Sequence, residues 1–207
     1  MRTLLLVGLV TLLNGAHAAG IGLRAGTTGL GADLGWGIAP TLGGRIGVSG
    51  MSFNADVETD DINYDAKAKL ASVNGFLDWS PLGPFRITAG LVLNNNKVDV
   101  VGRPRTAQFP PGSSLTGNVK PERSLSPYLG VGYGNVWTKG VNFYFDLGIM
   151  FQGTPKVDLD VNCGPSATPA QCATAQSRVA AEERRVQDEL DKFKYYPVLN
   201  IGITIGF

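Results

Sequence analysis

The stretch VNFYFDLGIMF, residues 141–151, places a large apolar side chain on every second residue. Val141, Phe143, Phe145, Leu147, Ile149 and Phe151 share one parity, and Asn142, Tyr144, Asp146, Gly148 and Met150 share the other. A strict period of two is the signature of a strand with one apolar face; a helix would bring apolar residues round every three or four. The same alternation runs through FRITAGLVLNNN (85–96), PYLGVGYGN (127–135) and YYPVLNIGITIGF (195–207). Near the start, Ile21, Leu23 and Ala25 share a face, and beyond TTG the parity changes to Leu30, Ala32, Leu34, Trp36 and Ile38. That flip predicts a tight turn between two strands. Residues 42–54 and 64–79 complete the count at eight.

Alternation alone does not say which face meets the core. The polar faces here carry Gly, Asn, Thr and Tyr with isolated charges, instead of the Lys and Glu of a soluble sheet. Trp36, Trp79, Phe85, Tyr133, Trp137, Phe151, Tyr195 and Phe207 fall near strand ends, where a membrane barrel carries its aromatic girdles. Each strand has about the ~10 residues that a tilted membrane strand needs. The expected fold is therefore all-β: an eight-stranded antiparallel up-and-down transmembrane β-barrel with long extracellular loops, the last containing a short helix. Apolar residues face lipid and polar ones the lumen. Lys67 and Lys69 fall on the lipid parity of their strand and must stand above the bilayer.

Short links at 39–41, 80–84 and 138–140 suit the periplasmic side, together with both termini, and the longer links are extracellular. One of these is acidic, with Asp56, Glu58, Asp60, Asp61 and Asp65; it is either a solvated charge run or a lure for cations at the mouth. It lacks the Gly and Glu positions of a calcium loop. The link 97–123 carries Arg103, Arg105, Lys120 and Arg123, and 153–194 contains QSRVAAEERRVQDELDKFK, a helix expected to cap the mouth in solvent, with Asp188 and Lys192 spaced i,i+4.

The opening MRTLLLVGLVTLLNGAHAAG has a basic start, an apolar run and a small-residue cleavage site, so 1–18 reads as a signal peptide and 19–207 as the barrel. Cleavage removes Arg2 and the chain's one histidine, His17, leaving basic and acidic residues equal in number. That neutrality argues against a nucleic-acid partner, and a chain without histidine builds no Ser/His/Asp triad or His-containing zinc site. No enzyme activity, cofactor or metal is expected. Cys163 and Cys172, nine positions apart in an exported protein, are expected to form a disulfide.

The inward positions collect Arg24, Arg45 and Arg86 against Asp33, Asp78 and Asp146. An eight-stranded barrel is just wide enough for side chains to fill, and an unpaired ion inside is costly, so these six are expected to form a charge network. Tyr128, Tyr144, Asn74, Asn142 and Asn200 are candidate hydrogen-bonding partners. The network is either a structural plug or the lining of a narrow path left open by Gly90, Gly130, Gly132, Gly134 and Gly148.

GTTGLGADLGW, SPYLGVGYGN, GTPKVDL and FKYYPVLNIGITIGF occur in an order that resembles the CarO-type ornithine-uptake outer-membrane proteins. The resemblance covers the barrel in patches between Gly26 and Phe207 and leaves the loops 54–64 and 97–127 largely unmatched. It implies an eight-stranded barrel of the bacterial outer membrane that admits small, mainly basic amino acids such as ornithine. The closing Phe207 resembles the signal read by the outer-membrane insertion machinery. The expectation is a monomer in outer-membrane lipid, acting as a narrow passive uptake channel for small polar solutes, with a non-conducting or partner-binding barrel as the alternative.

Overall fold

The computed structural model describes residues 18–58, 62–104, 110 and 112–207. The cleavage-site segment up to His17 lies outside them, as do Asp60 and Asp61. Among the described residues, eleven strands and one helix follow in chain order: β1 Ala19–Gly26, β2 Gly29–Ala39, β3 Leu42–Glu58, β4 Ile62–Leu82, β5 Phe85–Asn94, β6 Lys97–Pro104, β7 Ser114–Lys120, β8 Leu125–Tyr133, β9 Gly140–Met150, β10 Lys156–Asn162, α1 Pro169–Leu190 and β11 Tyr196–Gly206. Eight of the strands close a ring, β1-β2-β3-β4-β5-β8-β9-β11, in which β11 returns to β1 and every pairing is antiparallel. Alternation has done its work residue by residue. Phe143 is 73% exposed and Leu23 71%, whereas Arg45 and Asp78 are 0% exposed. This is the inverse of a soluble barrel and is stable only if the outer surface meets hydrocarbon. Among the described residues no helix is long and apolar enough to cross a membrane.

The parity flip after Ala25 is a two-residue turn, 27–28, flanked by Gly26 and by Gly29 at φ 91°. A positive φ is cheap only for glycine.

The long extracellular links differ from the expectation. β3 runs on to Glu58 and β4 starts at Ile62, so the acidic link is mainly the upper part of a hairpin. The link 97–123 contains β6 and β7, and 153–194 contains β10 ahead of its helix. These three strands prolong the barrel wall. The pairing of Ser72 with Asn94 continues as Lys69 with Lys97 in unbroken register, so β5 and β6 are one line of chain interrupted at residues 95–96. β7 leads into β8, and β9 into β10, across short breaks at 121–124 and 151–155. The result is a sheet β3-β4-β6-β7-β10 standing above the rim.

The helix packs on this sheet; it is not free in solvent. Ala175 and Val179 bury against Val161, Leu159 and Leu115. It begins earlier than the charged run suggested because Thr168 and Gln171 form a capping box ahead of Pro169. β10 would otherwise present a raw sheet edge. Gln187 and Glu183 close it, accepting hydrogen bonds from the Val157 and Leu159 amides, each at 3.1 Å. Cys163 and Cys172 are disulfide-bonded, with Cα atoms 5.8 Å apart, and tie the end of β10 to the first turns of the helix. Lys192 pairs with Glu189 at 2.8 Å, and the expected pairing with Asp188 is replaced by this i,i+3 contact.

Candidate functional site: the barrel lumen

Period two sends the inward residues of all eight wall strands to one axis, and the ring brings them within reach of one another. Arg45 on β3 donates to Asp146 on β9 through both terminal nitrogens, at 2.7 and 3.1 Å, and to Asp78 on β4 through Nε at 3.1 Å. Arg86 on β5 donates to Asp146 and lies 3.6 Å from Asp78. Thr88 donates its hydroxyl hydrogen to Asp78. A second group forms beside the first. Arg24 on β1 donates to Asp33 on β2 at 2.9 Å and to the Asn74 side-chain oxygen at 2.6 Å, and the Tyr144 hydroxyl donates to Asp33 from across the barrel. Arg45 and Arg86 lie over the Tyr144 ring at 5.6 and 5.5 Å, which joins the two groups. The structure thus brings together all six charged residues expected in the lumen, three of each sign.

Three of the expected partners take other roles. Asn142 donates to the carbonyls of Thr138 and Gly140 and shapes the periplasmic turn. The Tyr128 hydroxyl is buried without a hydrogen-bond partner among the described residues. Its ring belongs to an apolar cluster with Val92, Met150 and Val198, against which Phe76 packs. Asn200 accepts from Thr28 at 3.0 Å.

The inward glycines hold space for these side chains. A Cβ on Gly148 or Gly130 would come within 2.4 Å of the Tyr128 hydroxyl, and one on Gly132 within 3.0 Å of the Arg86 guanidinium. Gly90 faces the Gly75 carbonyl oxygen and Phe76 in the same way. They are seats for large side chains, which favours the plug over the narrow path of the two alternatives. A void of about 10 Å³ remains between the charge network and the apolar cluster, room for about one water.

Trp137, expected in the aromatic girdle, turns inward instead. The link between β8 and β9 spans 134–139 and tucks Val136, 0% exposed, and Trp137, 9% exposed, into the periplasmic end of the lumen. They sit where Gly20, Gly35 and Gly43 leave room, since a Cβ on Gly35 would lie 2.7 Å from Val136 and one on Gly43 2.3 Å from the Trp137 ring. Sequence reasoning missed this closure. Its signal is the run of glycines near the periplasmic end of three neighbouring strands, which marks a space reserved for something large.

The two acidic candidates with described side chains, Asp56 and Asp65, do not line the mouth. Asp56 and Asp65 are opposite each other on β3 and β4. Their parity places them on the outward side of the wall, where Asp65 pairs with Arg103 of β6 at 3.1 Å. Glu58 stands opposite Asn63 on the same hairpin.

A closed ring, a lipid-facing belt and an interior ion network define a porin-like transmembrane β-barrel of the bacterial outer membrane. No family model matches the chain, and no curated protein does either. Its fold is that of the CarO outer-membrane proteins. The crystal structure of Acinetobacter baumannii CarO superposes with a TM-score of 0.62 at 22% identity, over 91% of this chain and 97% of that one. The crystal structure of Acinetobacter baumannii CarO2 gives 0.63 at 22% identity, over 92% and 98%.

Proposed function

We propose that the protein is an occluded outer-membrane barrel that holds a rigid sheet-and-helix platform at the cell surface, and that it is not an open pore. The supporting observation is the stacking of three closures along one axis: Val136 with Trp137, the Arg/Asp network, and the cluster of Tyr128, Val92, Met150 and Val198. An ion crossing the central layer would have to displace guanidinium–carboxylate pairs that exchange poorly for water in a narrow lumen. Purified protein in planar bilayers is expected to show no conductance steps. Reproducible ohmic steps in the unmodified protein would overturn this reading.

A second reading is favoured by one feature. The periplasmic closure is made by two side chains on a turn bounded by Gly134 and Gly140, at φ 76° and 89°. Such a turn can act as a gate for small cationic solutes, among them the basic amino acids implied by the CarO-type resemblance. In that case proteoliposomes carrying Val136→Gly with Trp137→Gly would take up ornithine faster than those with the unmodified protein. Equal, background-level uptake in both would remove the gated reading and leave the occluded one.

A further inference from the structure

The register of the sheet above the rim places four lysines side by side. Lys69 of β4 is opposite Lys97 of β6, and Lys120 of β7 is opposite Lys156 of β10. The β6–β7 pairing of Val98 with Val119, carried one residue further, sets Lys97 against Lys120. The row therefore crosses four adjacent strands, about 14 Å at the usual ~4.8 Å strand spacing. Its side is the lipid side, because Lys69 shares the parity of Val73, and Lys97 that of Leu93. The helix packs on the opposite face, through Leu115, Leu159 and Val161, and leaves the row uncovered.

Like charges set directly across a sheet are destabilising, so such a row calls for a counter-charge. The chain supplies little. Lys97 is taken by Asp99. The Asp99 carboxyl is held below the usual carboxylate range by the hydrogen bond from Lys97, with Lys69 and Lys120 adding at longer range. Among the described residues Lys69, Lys120 and Lys156 pair with no carboxylate, and neither does the exposed Arg123, two residues before the lipid-facing Leu125. The acids on this face lie higher. Asp158 and Asp160 follow Lys156 on β10, and Asp65 and Asp56 are further up β4 and β3. Above the row, Lys67 stands opposite Asp99 and Arg103 pairs with Asp65, so it is net positive charge that is concentrated in the row itself, which a merely solvated face would not require.

The heights of Lys69 and Lys97 suit lipid headgroups. Lys69 is four residues beyond Val73 and Lys97 four beyond Leu93, the last large lipid-facing side chains of their strands. At ~3.4 Å per residue and a strand tilt of ~40°, that lifts the lysine Cα atoms about 10 Å above the apolar edge. Long lysine stems reach back down from there into a headgroup layer of about 5–7 Å.

We propose that Lys69, Lys97, Lys120 and Lys156, with Arg123, form a docking surface for the phosphate groups of a phosphorylated glycolipid in the outer leaflet. The lipid would supply the anionic partners that the chain omits and would fix the platform against the membrane surface.

The test uses the full-length protein refolded in neutral detergent and incubated with a bisphosphorylated lipid A-type glycolipid or with its dephosphorylated form, with bound lipid counted by native mass spectrometry. Retention of the bisphosphorylated lipid is expected to exceed that of the dephosphorylated form at least tenfold, and to fall about tenfold in Lys69→Gln/Lys97→Gln/Lys120→Gln/Lys156→Gln. Millimolar inorganic phosphate should not displace it. If the quadruple variant does not refold, Lys120→Glu alone should reduce retention at least threefold. Equal retention of the two lipids, unchanged retention in the variants, or full displacement by inorganic phosphate would each overturn the assignment to a membrane lipid.

Discussion

Replacing Asp146 with alanine removes the carboxylate that accepts hydrogen bonds from both Arg45 and Arg86. Arg45 loses hydrogen bonds of 2.7 and 3.1 Å, and Arg86 loses its hydrogen bond to the same group. Both guanidiniums have no exposed side-chain surface, and the remaining carboxylate is Asp78, 3.1 Å from Arg45 and 3.6 Å from Arg86. Hydrogen bonds to charged groups are worth roughly 1.5–3 kcal/mol each, so three of them set an upper range of about 5–9 kcal/mol. Asp78 stays in place and water can enter the vacated volume, which brings the expectation to the ~3–5 kcal/mol found when one partner of a buried ion pair is deleted. Asp146→Leu should fall as far, because filling the space neutralises neither arginine. Asp146→Leu with Arg86→Leu restores equal numbers of charges and should recover at least half of the loss. Urea unfolding of the refolded protein in detergent, followed by tryptophan fluorescence, measures all three variants. A loss under 1 kcal/mol for both single variants, or a double variant as unstable as either, would refute the coupling.

Two further predictions concern packing and the platform. Gly148→Ala should cost about 1–3 kcal/mol through overpacking, since its methyl meets Tyr128 at 2.4 Å and the Leu129 carbonyl oxygen at 2.7 Å, whereas Gly75→Ala has nothing within 4 Å and should be neutral; thermal unfolding of the pair separates seat from empty space, and equal midpoints would contradict the account. Cys163→Ser with Cys172→Ser should lower the local stability of the helix by about 2–3 kcal/mol and leave the wall unchanged, seen as faster hydrogen exchange in 169–190 alone; unaltered exchange there would show that packing on β10 suffices.

Strand parity was legible because it depends on nothing beyond the nearest neighbours. Arg24, Asp33, Arg45, Asp78, Arg86 and Asp146 are all on the inward side that alternation assigns them. Which of them pair was not legible, since Arg45 meets Asp146 only through the closure of the ring and the register of strands far apart in sequence. Trp137 and Val136 escaped for a different reason: they lie in a turn, where parity carries no information, and an aromatic near a strand end reads equally as girdle or plug. The three strands of the platform also alternate, as Val157, Leu159 and Val161 show, but their other face carries Asp and Lys. That is the pattern of a water-exposed sheet, and a search for lipid-facing strands passes over it. Tyr128 was read as a hydrogen-bonding residue on its hydroxyl, while its neighbours in space use its ring.

The wide sequence separations in the lumen bear on how the barrel assembles. Arg24 with Asp33 and Arg45 with Asp78 are contacts within single hairpins, available as soon as neighbouring strands pair. Asp146 reaches Arg45 across 101 residues, and Tyr144 reaches Asp33 across 111. Until β9 comes round to face β3, Arg24 and Asp33 offset each other, but Arg45 and Arg86 share a single carboxylate. A half-built sheet therefore carries surplus positive charge on its concave side. Only the final curling of the wall cancels it, so the network rewards completion of the cylinder over any shorter or misregistered sheet, at the cost of the slow search that distant contacts impose.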